Sequence, residues 1–268
     1  MPGNELVLVD QAIDEEQRNR DARLADDKAF EYFACEQVLR DYELSQEELE
    51  YGLVGGGQDA ALDGIYVFLG DTLITEDSEL VSEDAASTKY DRGQKLTLEL
   101  VQAKRQTSFT ETAVDLASSS LGRLLDLTQE DADLLRLYSP EVVKRLGMFK
   151  TAWQRLSTSR PVLTVKFSYV ARGDTSNVNS RVRVKADDLE RQLERLVTGA
   201  SAQVALWGAA ELWASCNRAP SYSLKLPFLE NATQGGSYVA VVRLQDYYDF
   251  ITDVTGNLRR HIFDANVR

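Results

Sequence analysis

The stretch LELVQAKRQT, residues 98–107, decides how the chain folds. It opens as a buried strand, with Leu98, Leu100 and Val101 and little polar relief. It then places Gln102 and Lys104 where more apolar side chains are expected. Side chains alternate along a strand, so Gln102 and Lys104 share a face and Ala103 points the other way. Lysine is rarely buried without a partner. An amide and an ammonium on one side of a core strand therefore call for a reason.

The stretch before it supplies one. GGGQDAALDG, residues 55–64, breaks the chain at its glycines and leads into a strand predicted over 62–70. If that strand pairs with the one predicted over 96–104, Asp63 sits beside Gln102 and Lys104. A carboxylate, an amide oxygen and an ammonium then surround one point. Hard oxygen ligands plus water suit Mg²⁺ or Mn²⁺, and Mg²⁺ typically takes few protein groups. A lysine beside such an ion can orient or deprotonate a water, or steady charge on a phosphate. Glu36 is either a fourth member, turned toward the sheet, or a residue that flanks the buried stripe. It stands three residues from both Phe33 and Leu39, along the apolar side of a helix predicted over 26–42. Asp59 reads equally well as a turn former.

Outward from this pair, helices and strands alternate. Ser45 and Glu48 form a capping-box pattern, and Ser108 and Glu111 a second one, opening a helix along Val114, Ala117, Leu121 and Leu124. Residues 71–92 carry seven acids and read as an exposed loop. Residues 129–159 and 186–197 read as helices, with a strand over 162–171 between them. Further strands are expected near 203–207, 222–228 and 238–243, and helices near 208–217 and 244–254. Trp207, Trp213, Tyr247, Tyr248 and Phe250 read as packing residues. The pattern predicts an α/β fold with a mixed central sheet flanked by helices, plus additional C-terminal α/β elements. The expected divisions are a helical arm at 1–25, the main domain at 26–200 and an α/β extension at 201–268.

Composition narrows the chemistry. The 268 residues include one histidine, His261, and two cysteines, Cys35 and Cys216. A His-based triad or a zinc site would have little to draw on, and the cysteine usage fits a reducing cytoplasm. No apolar run approaches the ~18 residues of a membrane span, and the N-terminus does not read as a signal peptide. No G-x-x-x-x-G-K pattern is present. The net charge of −13 conceals an asymmetry, with 12 bases against 6 acids over residues 141–200. Lys144, Arg145, Lys150, Arg155, Arg160, Lys166, Arg172, Arg181, Arg183 and Lys185 offer either a phosphate-contacting surface or a solvated basic face.

The order of helix, Asp at a strand start, Gln-x-Lys on the next strand, then helix resembles the PD-(D/E)XK nuclease core. It most resembles the Mrr-like, restriction-endonuclease-like branch, through Gly56, Gly57, Asp59, Asp63, Gly64 and Gln102-Ala103-Lys104. Residues 26–125 also resemble the N-terminal part of AIPR proteins, the abortive-infection phage-resistance family. DKAFEYFACEQVL, GGGQDAALDGIYVF and ELVQAKRQTSF carry that likeness. HIFDANVR, at the end, resembles the start of the family's namesake region, so a C-terminal remainder of a longer chain is expected.

The resemblance implies that Asp63 binds the metal, that Lys104 is catalytic, that Gln102 fills the third position and that Glu36 is the helix acid. It departs in one respect: most of the superfamily has an acid where this chain has Gln102, and an amide is a weaker ligand. The implied function is Mg²⁺-dependent hydrolysis of DNA phosphodiester bonds in phage defence. The alternative is a nuclease fold without catalysis that binds or senses nucleic acid or a partner. DNA is the expected target, RNA the alternative, and a homodimer is compatible with either.

Overall fold

A computed structural model describes residues 3–20, 22–82, 90–218, 226–234, 237–252 and 258. Five strands form one mixed sheet: β1 (Gly64–Leu69), β2 (Thr72–Leu73), β3 (Lys95–Lys104), β4 (Val162–Ala171) and β5 (Ser201–Trp207), in the order β2-β1-β3-β4-β5. β1 is antiparallel to β2 and β3, whereas β3, β4 and β5 run parallel. Parallel neighbours need long crossovers. Helices α4 (Glu111–Leu124), α5 (Asp131–Leu134) and α6 (Pro140–Leu156) lie between β3 and β4, and α7 (Ser180–Leu196) lies between β4 and β5.

Helices cover both faces of the sheet, which is why β3 is apolar almost throughout. On one face Leu96, Leu98 and Leu100 pack with Val114 and Leu121 of α4, Phe149 of α6, and Leu189 and Leu193 of α7. On the other, Val101 and Ala103 meet Phe30, Phe33 and Ala34 of α2 (Asp26–Val38). Val9 of α1 (Asn4–Asn19), Leu49 of α3 (Gln46–Gly52) and Leu212 of α8 (Ala209–Cys216) complete that layer. One acid interrupts the apolar strand. Glu99 is buried, but it accepts hydrogen bonds from Tyr42 Oη at 2.9 Å and Lys166 Nζ at 2.6 Å. A buried charge is tolerable when it is paired in this way.

Local chemistry sets several boundaries. The capping box at Ser45 and Glu48 opens α3. The expected one at Ser108 and Glu111 does not form: Thr110 is the N-cap, without a side-chain bond, and its N–H donates to Tyr169 Oη at 3.1 Å. Residues 129–159 are two helices rather than one. Ser139 caps α6 through Val142 N–H, and Pro140 occupies the first turn. α7 begins at Ser180, earlier than expected, because Asn179 caps it through Arg181 N–H. Within the acidic loop, Leu73, Ile74 and Leu80 are buried, so its described part, up to residue 82, is anchored.

The chain divides at 218/219, not at 200/201. The expected border falls between α7 and β5, yet β5 pairs with β4 from Thr164–Ser201 to Val170–Trp207. The expected N-terminal arm also belongs to this first unit, since Val9 sits in its core. In the second unit, β6 (Glu230–Gln234) and β7 (Ser237–Val241) form an antiparallel hairpin, followed by α9 (Leu244–Ile251). The strand expected over 222–228 falls largely outside the described residues, and 226–228 are irregular. Tyr247 and Tyr248 are exposed on α9 rather than packed. Among the described residues no helix is long and apolar enough to cross a membrane.

Candidate active site

The antiparallel ladder between β1 and β3 ends at the pair Gly64–Val101. One step further, Asp63 lies beyond the regular register, against the same β3 residue that Gly64 faces. Asp63 is clamped there by its main chain, its N–H donating to Val101 O at 2.8 Å and its carbonyl accepting from Val54 N–H at 3.0 Å. β1 stops before it can pair with Ala103. The Asp63 side chain takes over, and Oδ2 accepts the Ala103 N–H at 2.8 Å. Lys104 Nζ lies 3.6 Å from the same oxygen. The lysine side chain remains 40% exposed, whereas that of Asp63 is 3% exposed. Burial pushes the Asp63 carboxyl up to about 6, against the opposing pull of the Lys104 ammonium and the Ala103 N–H.

The loop leading into Asp63 is conformationally costly. Gln58, Ala60 and Ala61 all have positive φ, at 61°, 62° and 60°. Residues with a Cβ rarely adopt that region. Asp59 holds the loop, as a turn former does: Oδ1 accepts from Ala61 N–H at 2.9 Å and Oδ2 from Gly56 N–H at 3.4 Å. Gln58 O accepts from Ser139 N–H at 2.9 Å, which ties the loop to the start of α6.

Gln102 is 1% exposed, and neither its amide nitrogen nor its amide oxygen has a hydrogen-bond partner among the described residues. An unsatisfied buried polar group costs about 1–3 kcal/mol. Such a group in a folded protein asks for a water, an ion or a function to account for it.

Glu36 is not part of this cluster. It accepts from Gln37 Nε2 at 2.8 Å, and its charged neighbours are Glu16, Arg40 and Arg20. The helix acid at the site is Glu31, which sequence reasoning missed. A Cβ on Gly55 would lie 2.7 Å from Lys28 Nζ, 2.8 Å from Glu31 Oε2 and 3.2 Å from Asp63 Oδ1. The ends of three charged side chains thus converge on Gly55. Five residues separate Glu31 from Glu36, which is about 140° around a helix, so the two cannot face one point. The pointer to Glu31 is a contact in the fold, at Cys35. Its Sγ lies 2.7 Å from where a Cβ on Gly64 would stand, beside Asp63. The residue four before it on α2 is Glu31, which shares that face.

Oxygen donors of these kinds suit a hard divalent cation. Asp63 Oδ1 makes no hydrogen bond in the described structure, the Gln102 amide oxygen is unpartnered, and Glu31 supplies a second carboxylate. Among the described residues no three His, Cys, Asp or Glu side chains gather to hold a metal, so an ion here would rest on few protein groups and on water. One contact competes: Lys28 Nζ bonds Glu31 Oε2 at 2.6 Å.

The basic stretch after residue 140 does not form one open surface. Lys144 pairs with Glu76, Lys150 with Asp131, Lys166 with Glu99 and Lys185 with Asp115. Arg155 donates to the Leu80 and Ser82 carbonyls, and Arg145 to Tyr51 O. The chain is thus an α/β protein with a five-stranded mixed sheet and a polar cluster at the ends of β1 and β3. No family model, curated protein or solved structure matches it.

Proposed function

We propose that the protein is a metal-dependent nuclease that hydrolyses DNA phosphodiester bonds, on a core resembling the PD-(D/E)XK nucleases and, more broadly, the AIPR phage-resistance proteins. One observation carries this reading: Asp63, just before β1, and Lys104, at the end of β3, stand 3.6 Å apart, and two residues before Lys104 the same strand buries an amide, Gln102, whose polar atoms have no partner. Asp63, Glu31 and Gln102 would hold Mg²⁺ or Mn²⁺. The bound ion would supply Lewis acidity and a water of lowered pKa. Ala103 N–H fixes the Asp63 carboxylate through Oδ2 and leaves Oδ1 directed away from that bond. Lys104 is exposed enough to reach a phosphate oxygen and carry its developing charge. Arg105 and Lys104, at the end of β3, place positive charge where a backbone phosphate would approach.

A second reading is a binding module without catalysis. The Lys28–Glu31 bond and the amide at position 102 favour it, since both weaken the ligand set. The test is cleavage of supercoiled plasmid, linear duplex and single-stranded RNA, with Mg²⁺ or Mn²⁺, by the wild type and Lys104→Ala. Metal-dependent cleavage that disappears in Lys104→Ala supports the nuclease and identifies its substrate. Binding of the same nucleic acids without cleavage, by both proteins, supports the second reading instead.

A further inference from the structure

Beside the Asp63 site lies a cleft of about 170 Å³, bounded by α1, α2 and the ends of β3 and β4. Arg105, Arg172 and Arg23 line it, together with Asp10, Asp14 and Asp26. Arg105 directly follows Lys104, and Arg172 directly follows Ala171, the β4 partner of Lys104. Both arginines therefore leave the C-terminal edge of two neighbouring parallel strands, where open α/β sheets bind their ligands. Each is met by an aspartate from a helix. Arg105 Nη2 lies 3.0 Å from Asp26 Oδ2, and Arg172 Nη2 bonds Asp10 Oδ2 of α1.

Arg172 is incompletely used. Its Nε is buried and has no hydrogen-bond partner among the described residues, although Nη2 is taken by Asp10 and Nη1 lies 3.5 Å from Arg105 O. A guanidinium edge presents Nε and Nη2 side by side, which suits a two-oxygen anion such as a phosphate. Asp10 engages only the second of these. The aspartate thus stands where one phosphate oxygen would, and leaves unfilled the place of another. The Asp10 and Asp26 side chains are 42% and 58% exposed. Pairs this accessible are worth little, so a phosphate can displace them.

We infer that Arg105 and Arg172 are the phosphate clamp of this site, and that Asp10 and Asp26 stand in for substrate phosphates until nucleic acid displaces them. The inference rests on the nuclease reading for the identity of the phosphate. α1 then acts as an acidic competitor, and its removal from the clamp is part of substrate binding. The ligand chemistry is a phosphodiester backbone, common to DNA and RNA.

The test is equilibrium binding of a fluorescent duplex DNA and of a single-stranded RNA to the full chain in EDTA, across a salt series. Asp10→Asn with Asp26→Asn should tighten binding of the true ligand about 3- to 10-fold. Arg105→Ala and Arg172→Ala should each weaken it and lower the slope of log K against log salt by about 0.7–0.9, the loss expected for one phosphate contact on single strands or duplex. Arg172→Lys keeps the charge without the paired N–H edge, and should weaken binding while retaining the slope. Thermal unfolding of each variant checks that it folds. An unchanged affinity and slope in folded Arg105→Ala and Arg172→Ala would overturn the clamp, as would unchanged affinity in the double Asp variant. The two readings separate cleanly. Variant-dependent binding without metal-dependent cleavage keeps the clamp and sinks the nuclease, whereas cleavage indifferent to both arginines does the reverse.

Discussion

Asp63→Asn should stabilise the protein at neutral pH and do almost nothing at pH 4. The wild-type carboxyl titrates at about 6 in the folded state against an ordinary value of 3.8. At about 1.4 kcal/mol per pH unit, the gap is worth about 3 kcal/mol. The sign follows from proton uptake. Around pH 5 the folded state holds this proton more tightly than the unfolded state, so stability falls as pH rises. The contribution is fully present below about 3.8, fades through about 6, and is absent above. The penalty is about 0.5 kcal/mol at pH 4 and about 3 kcal/mol at pH 8. Asparagine removes the charge and keeps an oxygen for the Ala103 N–H, so it removes most of the penalty. Urea unfolding followed by tryptophan fluorescence measures this, because Trp153, Trp207 and Trp213 all belong to the first unit. Comparing the two proteins at both pH values cancels every other titrating group. A variant less stable than wild type at pH 8, or an equal difference at both pH values, would refute the reasoning.

Three further outcomes follow from the same geometry. Gln102→Met removes two unpartnered amide atoms while keeping the shape, and should raise stability by about 1–2 kcal/mol in the same urea assay while abolishing any cleavage. Gly64→Ala brings a methyl to 2.7 Å from Cys35 Sγ and 2.9 Å from Tyr66 Cε2, and should cost about 1–3 kcal/mol, read as a lower melting temperature. Glu31→Gln should weaken Mn²⁺ binding by calorimetry severalfold, whereas Glu36→Gln should leave it unchanged; the reverse order would return Glu36 to the site.

Much of this was legible because it depends on alternation along one strand. Gln102 and Lys104 share a face by period alone, and Asp63 reaches Lys104 because the antiparallel ladder runs back from Leu69–Leu96 to Gly64–Val101. Position around a helix is harder to read when a helix is buried on several sides. α2 buries Ala29, Phe30, Tyr32, Phe33, Ala34, Cys35 and Gln37, so its apolar residues mark no single stripe and Glu31 and Glu36 look equally placed. What separates them is the close approach of Gly55 and Gly64 to α2, a tertiary fact. The domain border failed for a related reason. A strand is expected near 203–207, but which sheet it joins is set by its pairing with β4, not by its own sequence.

Several of the costs in this molecule gather in one region, although Glu43 and Arg160 are also left-handed and Gln94 and Thr97 also bury unpartnered atoms. Three left-handed non-glycine residues, at 58, 60 and 61, lie just before a carboxylate buried at a price in ionisation, and the strand that carries its lysine partner also buries an unsatisfied amide. A five-stranded sheet with two covered faces needs none of these to fold. The buried acid on β3, Glu99, shows how this sheet handles a charge that has only to be tolerated: it is bonded by both Tyr42 and Lys166. Asp63 could have been neutralised as fully by a closer lysine, and Gln102 replaced by a leucine continuing the line of Leu98 and Leu100. Strain and unmet polarity gathered at one end of two strands, beside a half-exposed lysine, are what a preorganised site requires and what a merely stable one would have lost.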